Sequence, residues 1–304
     1  MASETTSASA VPTPAPSTPD RPPLRLRRVP LRVRFARSLP STVALAVLVV
    51  LFLFPLVWFF LSSVKPGGEL FRFPLTIWPE SWTFDGYLRA WERVDFSLYF
   101  RNTFVVATIT TVLTVFFSAA TGYALAKYRA WWLSALFVCI LATTMLPTEV
   151  ILTPTFTVIR DLGLYNTLAG IIVPSVITAS GIFMFRQFFL TVPDELLDAA
   201  RIDGAKELAI FFRIMLPLAK PIAITLAIFS FQWRWNDYIW PLIVLADPDQ
   251  FTLQVALRSL VGAENIDWTL LLPASVISII PLVVMFFVAQ RYVMSADLNS
   301  GLKD

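Results

Sequence analysis

The densest group of residues that could do chemistry lies within a long apolar run. Arg234 and Asp237 are three residues apart, and Trp235, Asn236 and Trp240 lie beside them. Ionisable residues in a membrane segment are costly unless they are paired or face a cavity, and they often mark a transport path. Aromatic faces and polar groups also suit a sugar ring with its hydroxyls. A structural ion pair within an aromatic belt at the membrane interface explains the same residues equally well.

The composition excludes the common catalytic and metal centres. The chain has no histidine and one cysteine, so His/Cys metal sites, Cys–His pairs and Ser–His–Asp triads cannot form. None of the ten glycines belongs to a G-x-x-x-x-G-K-[ST] phosphate loop. The sequence therefore predicts neither an enzyme nor a cofactor or metal site, and any energy from ATP must come from a partner.

A second group of interest is the polar connection at residues 191–220. Pro193 precedes a short helical pattern with acidic residues in its first turn, where the helix dipole favours them, and Gly204 is expected to end it. Small apolar residues recur at helical spacing and predict one flat face, with charged residues at its rim. Such a surface favours docking into a groove of another protein. The face comprises Leu196, Ala199 and Ala200, and the rim comprises Glu195, Asp198, Arg201 and Asp203.

The elements that position these groups are expected to be membrane-spanning helices. Hydrophobic residues form 57% of the chain, charged residues only 15%, and the mean hydropathy is +0.69, which is typical of an all-α polytopic membrane protein. The third apolar run is short, and residues 149–167 after it are expected to form a partial helix at the outer face. Six candidate spans are predicted, at 41–64, 103–126, 131–148, 168–190, 218–245 and 269–290.

The N-terminal residues 1–38 differ from the transmembrane domain predicted at 39–304. They are rich in Ser, Thr, Pro and Arg, which predicts a disordered basic tail. The distribution of Lys and Arg places both termini and the 191–220 loop in the cytoplasm, with residues 65–100 and 246–268 outside. The net charge of +3 is too small to indicate nucleic acid, and the aromatic residues lie in apolar runs rather than among basic ones.

The 191–220 connection also carries a recognisable motif. D-A-A-x-x-x-G followed after nine residues by I-x-L-P resembles the EAA loop of bacterial ABC-importer permeases, although Asp198 stands where that family usually has Glu. The matching positions are Ala199, Ala200, Gly204, Ile214, Leu216 and Pro217. In that family the loop is a coupling helix that sits in a cleft of a cytoplasmic ATPase subunit. The resemblance implies that the ATPase contacts are Glu195, Asp198, Ala199, Ala200, Arg201, Asp203, Gly204 and Ala205.

Other segments resemble the sugar-importing, maltose-type branch of the same family. They are Asn102-Thr103, Thr110, Ala120, Gly122–Lys127, Leu162–Thr167, Phe185–Phe189 and Trp235–Leu242. The resemblance implies a sugar substrate whose path includes Arg234, Trp235, Asn236, Asp237 and Trp240.

It further implies a second permease subunit, two ATPase subunits, an extracytoplasmic solute-binding protein and a bacterial cytoplasmic membrane with its lipid. Glycerol phosphate or another polyol is the alternative substrate. A secondary transporter is the less favoured class, because it would have no use for the docking loop.

Overall fold

A computed structural model describes residues 31–93, 95–261 and 266–300. Within these ranges the chain is helical, and its only β-type pairing is an isolated bridge between Val261 and Ile266. The all-α prediction is therefore confirmed. The chain divides into two compact units, Met1–Pro55 and Leu56–Asp304, and the second contains every site considered below.

Among the described residues, three helices are long and apolar enough to cross a membrane. These candidate spans are Thr42–Ser63 within α1 (Leu31–Ser63), α4 (Phe96–Lys127) and Trp268–Val288 within α15 (Trp268–Ser300). Three bent pairs bring the total to six if each counts as one span. The pairs are α5 (Trp131–Thr143) with α6 (Thr148–Asp161), bent by 109°; Leu168–Ser175 with α8 (Ala179–Thr191), bent by 41°; and Glu207–Leu218 with α12 (Lys220–Trp235), bent by 75°.

Shorter elements connect these spans. The α-helices among them are α2 (Gly67–Leu70), α3 (Asp85–Arg93), α7 (Leu168–Ile172), α9 (Asp194–Ile202), α10 (Glu207–Ile210), α11 (Leu216–Leu218), α13 (Ile239–Val244) and α14 (Leu253–Ser259). Two 3₁₀ turns, Val173–Ser175 and Pro248–Gln250, and a π-helical turn, Phe211–Met215, complete the order.

Two boundaries differ from the sequence prediction. The first helix already begins at Leu31, inside the tail predicted to be disordered. Extending an existing helix costs less free energy than starting a new one, and Leu, Arg and Ala are good helix formers. Residues 1–30 of that tail lie outside the described residues. The fifth apolar run, 218–245, breaks after Trp235. Pro241 explains the break, since its ring would clash with the carbonyl of Asp237 in a continuous helix.

Helix α4 forms the centre of the second unit and packs against both α8 and α12. The approach to α8 is closest at Gly122, where an added Cβ would lie 2.7 Å from Phe185 Cβ and 2.9 Å from the Arg186 nitrogen. Tyr123 and Phe189 are buried beside this contact. Small residues at membrane helix interfaces allow such close backbone approach, so Gly122 sets the spacing of the two helices.

We expect Gly122→Ala to destabilise the protein by about 1–3 kcal/mol, because the new methyl group meets backbone atoms that cannot move independently. Gly68→Ala is the matched control, since nothing lies within 4 Å of a Cβ at that helical position. Thermal unfolding of the two purified variants in one detergent measures the difference. Equal Tm values would contradict close packing at Gly122.

Candidate functional site

Helix α9 has one face turned into the protein. Leu197 is 2% exposed and Ala200 is 9% exposed, and both belong to a cluster with Phe185 and Phe189 of α8. The predicted flat face of Leu196, Ala199 and Ala200 is therefore wrong in part. Residues 197 and 200 are three apart and share a face, which leaves Leu196 and Ala199 pointing outward.

The outward face of α9 contains most of the residues expected to contact an ATPase. Ala200 is buried and Ala205 is half-buried, and the other six are exposed: Glu195, Asp198, Ala199, Arg201, Asp203 and Gly204. Two apolar side chains that the sequence pattern did not reveal extend this surface. Ile202 is 86% exposed and Leu208 is 72% exposed. Ile202 follows the outward-facing Ala199 by three residues, so helical spacing could have found it, whereas Leu208 lies in α10, beyond the end of α9.

The turn after α9 is built by its glycine. Gly204 has φ +79°, its N–H donates to the Arg201 carbonyl at 3.0 Å, and the Ala205 N–H donates to the Ala200 carbonyl at 3.0 Å. These are the two hydrogen bonds of a Schellman motif, which satisfies carbonyls at a helix end. The prediction that Gly204 ends the helix is confirmed, and its left-handed φ explains why glycine occupies the position.

The N-terminal end of α9 is held by the last residue of α4. Lys127 Nζ donates to Asp194 Oδ1 at 2.7 Å and to the Val192 carbonyl at 2.6 Å, although the lysine side chain is only 4% exposed. The hydrogen bond and the charge of Lys127 lower the pKa of the Asp194 carboxyl. This contact joins the start of α9 directly to the end of a membrane span.

The C-terminal end of α9 is held through Glu207. Arg201 Nε donates to Glu207 Oε1 at 2.8 Å, while the hydroxyls of Tyr128 and Tyr123 lie 3.0 and 3.3 Å from Glu207 Oε2. Arg201 also reaches Asp198 at 3.1 Å. Since Tyr123 belongs to α4 and Tyr128 follows it, both ends of α9 are fastened to the same end of that helix. Sequence reasoning missed Glu207, because its partners lie far away along the chain.

A cavity of about 940 Å³ lies between α6, α12 and α13. Arg234 and Asp237 line it and form an ion pair, with 2.9 Å between the guanidinium nitrogen and the carboxylate oxygen. Their side chains are 15% and 14% exposed. The volume falls in the range of small-molecule sites. The lining residues include Thr148, Glu149, Thr155, Gln232, Trp233, Arg234, Asn236, Asp237, Tyr238 and Trp240.

Four of the five residues predicted on a substrate path line this cavity, and Trp235 does not. Its indole is fully buried, donates from Nε1 to the Ser278 carbonyl at 2.9 Å and stacks on Phe231. Successive residues on a helix point about 100° apart, so Arg234 and Trp235 cannot share one face. Trp240 is only 7% exposed, and its Nε1 donates to the Gly170 carbonyl at 3.2 Å.

The opposite wall of the cavity comes from α6, which sequence reasoning treated only as a partial helix. Thr148, Ile151, Leu152 and Thr155 line it together with Glu149. The spacing i, i+3, i+4 and i+7 places the first four on one helical face. That spacing, with a hydroxyl at each end, is the signal that would have identified the wall.

Comparisons with known proteins agree with this architecture. Residues 118–295 match the model of the family described as "Binding-protein-dependent transport system inner membrane component". The arabinooligosaccharides transport system permease protein AraQ of Bacillus subtilis is 38% identical over 267 residues, which cover 86% of this chain and 94% of the relative. The sn-glycerol-3-phosphate transport system permease protein UgpE of Yersinia pestis is 33% identical over 260 residues, which cover 83% of this chain and 92% of the relative.

A solved structure extends the similarity to the fold. A chain in the crystal structure of a bacterial ABC transporter involved in the import of the acidic polysaccharide alginate superposes with a TM-score of 0.77 at 26% identity. The match covers 86% of this chain and 98% of the other. The match to the family model spans more than half of the sequence, and relatives above 30% identity cover most of it. The chain therefore belongs to the family of inner membrane components of binding-protein-dependent transport systems.

Proposed function

We propose that this chain is a permease subunit of a sugar-importing ABC transporter, in which a partner ATPase drives alternating access to a path that includes the α6–α12–α13 cavity. The observation that carries the proposal is the fastening of α9 to α4 at both ends. Lys127 secures one end and Glu207 the other. A helix that presents an outward surface and is tied at both ends to a span can pass on movement of a docked partner.

The exposed surface of α9 supports docking of an ATPase subunit there. It combines a carboxylate rim with the exposed apolar side chains of Leu196 and Ile202, and Leu208 of α10 is exposed beside the same turn. Apolar side chains rimmed by polar ones mark interaction sites. The full transporter would contain two ATPase subunits, a second permease subunit and an extracytoplasmic solute-binding protein.

The cavity supports a neutral sugar over glycerol phosphate. Among the described residues that line it, Arg234 is the only cation, and Asp237 neutralises it at 2.9 Å. Glu149 adds a negative charge to the opposite wall. A phosphate would need an unpaired cation, whereas hydroxyls can bond to Thr148, Thr155 and Asn236.

The coupling role predicts that Gly204→Val inserts into the membrane but loses ATPase binding and transport. A β-branched residue is strained at φ +79°, and the strain distorts the turn below the docking surface. Gly163→Val is the matched control, since Gly163 has φ +72°, and neither glycine has an atom within 4 Å of an added Cβ.

Co-purification of the ATPase subunit with each variant, together with uptake by cells, measures this outcome. The Gly163 variant should retain ATPase binding although it carries a similar backbone strain. Wild-type uptake in the Gly204 variant would remove this turn from the mechanism.

The cavity predicts different outcomes for single and double changes of the ion pair. Removing one partner leaves a charge stranded in a mostly buried place, at a cost on the order of 3–5 kcal/mol, so complex yield should fall. Arg234→Leu combined with Asp237→Leu removes both charges and should restore the yield, while uptake stays low if the pair lines the path. Near-wild-type uptake in the double variant would assign the pair a purely structural role.

Two tryptophans provide a matched comparison for the same cavity. Trp233 is 68% exposed and lines the cavity, whereas Trp235 is buried in the core. We expect Trp233→Ala to lower uptake at unchanged complex yield, because it removes a stacking surface. Trp235→Ala should lower the complex yield, because the loss of a buried indole destabilises the protein by about 3–5 kcal/mol. Uptake and yield falling together in the Trp233 variant would argue against substrate contact there.

The proposed orientation places the N-terminus, the C-terminus and residues 191–220 in the cytoplasm. Single cysteines at Ser81 and Lys206, both exposed, test it in a Cys139→Ser background. An impermeant thiol reagent added to intact cells should label position 81 and leave position 206 unlabelled. Lysed cells serve as the control in which both positions react, and labelling of position 206 in intact cells would reverse the topology.

A further inference from the structure

The segment between α1 and α4 exposes an unusual number of large apolar side chains. Phe73 is 92% exposed, and Trp78 and Trp82, which touch each other edge to face, are 67% and 52% exposed. The full set is Phe71, Phe73, Leu75, Ile77, Trp78, Trp82, Phe84, Leu88 and Trp91. So many large apolar side chains exposed along one short segment favour a cover other than water.

Hydrogen bonds fix this segment at the end of the first span. The Thr83 N–H donates to the Val64 carbonyl at 2.9 Å, and the hydroxyls of Ser63 and Tyr87 lie 2.6 Å apart. Ser63 is the last residue of α1. The segment therefore leaves the end of α1 and returns to contact that same end about twenty residues later.

Helix α3 reaches further, to the depth of the last span. Gly86 packs so closely on α15 that an added Cβ would meet the Thr269 carbonyl and lie 2.7 Å from Pro273 Cγ. Ala90 is fully buried with Leu270 and Ala274 of α15 in the same cluster. These α15 residues lie in the first turns of the candidate span that begins at Trp268. Helix α3 thus lies beside apolar span residues rather than above them.

Part of the outward side of α3 is apolar at that depth. Leu88 is 63% exposed, and it lies about 200° around the helix from Gly86, so it points away from α15. Trp91, 51% exposed, lies about 60° from Leu88 and extends this apolar sector, while Asp85 and Glu92 lie on the other side of Leu88 and form an adjoining polar sector. A helix with an apolar sector beside a polar one, and with tryptophan among the apolar residues, has the chemistry of a membrane interface.

We propose that residues 71–91 form an interfacial anchor, in which the exposed aromatic and aliphatic side chains insert into the lipid headgroup and acyl boundary beside the ends of α1 and α15. In the proposed orientation this is the outer leaflet. The anchor covers the rim of the bundle with lipid-facing side chains and fixes the depth of α1 and α15. It depends on the membrane fold and is independent of which solute is transported.

Spin labels on the apolar and polar sectors of α3 test the anchor in the assembled transporter. Trp91→Cys and Glu92→Cys, which lie at nearly the same height and point about 100° apart, are each labelled with a nitroxide in the Cys139→Ser background, and the complex with its partner subunits is reconstituted in phosphatidylcholine nanodiscs. Collision with O₂, which concentrates in lipid, is compared with collision with nickel(II)-EDDA, which stays in water. The ratio of O₂ to nickel collision should exceed one at position 91 and fall below one at position 92.

Two results would overturn the anchor. A ratio below one at position 91 places the apolar sector in water, and low collision with both reagents there shows that a protein subunit covers it. A second measurement avoids the cysteine variants altogether. Brominated phosphatidylcholine should quench part of the tryptophan fluorescence of the wild-type complex, and Trp91→Phe should reduce that quenched part. An unchanged quenched part would also contradict insertion of this apolar sector.

Discussion

The close approach of α4 and α8 is the constraint on which the other contacts depend. Gly122 lets the two backbones meet on one side, and Gly181 of α8 fits against Ser118 of α4 and Leu226 of α12. Three helices therefore pack closely at these two glycines. Because α8 leads directly into α9 and α12 begins at Lys220, the position of α4 determines where both ends of residues 191–220, the proposed coupling segment, lie.

The same helix also reaches the cavity. Thr114 of α4 donates to the Ser175 carbonyl at 3.2 Å, and Ser175 is part of the cavity wall. Lys127, thirteen residues later, holds the start of α9. At about 1.5 Å per residue, a single rigid helix spans the roughly 20 Å between the two contacts. A single helix thus connects the proposed coupling segment directly to the cavity, so movement at one contact can reach the other without a series of side-chain rearrangements.

The sequence predicted what local patterns determine. Apolar runs located the spans, because lipid requires continuous apolar surface, and the position of Gly204 located the end of α9, because its turn needs a positive φ. Long-range contacts were out of reach. The sequence placed Trp235 and Arg234 together on the substrate path. The rotation of α12 about its axis, which is known only from the structure, turns Trp235 to the core and Arg234 to the cavity. Glu207 likewise gained its role from two tyrosines some eighty residues earlier.

The π-helical turn at Phe211–Met215 affects the orientation of α10. A π turn contains one more residue than an α turn, and such turns are rare inside helices. Since one residue corresponds to about 100° of rotation on an α-helix, the extra residue turns α10 by about that angle relative to α11. Glu207 is the first residue of α10, so the π turn sets the direction from which its carboxylate meets Arg201 and Tyr128.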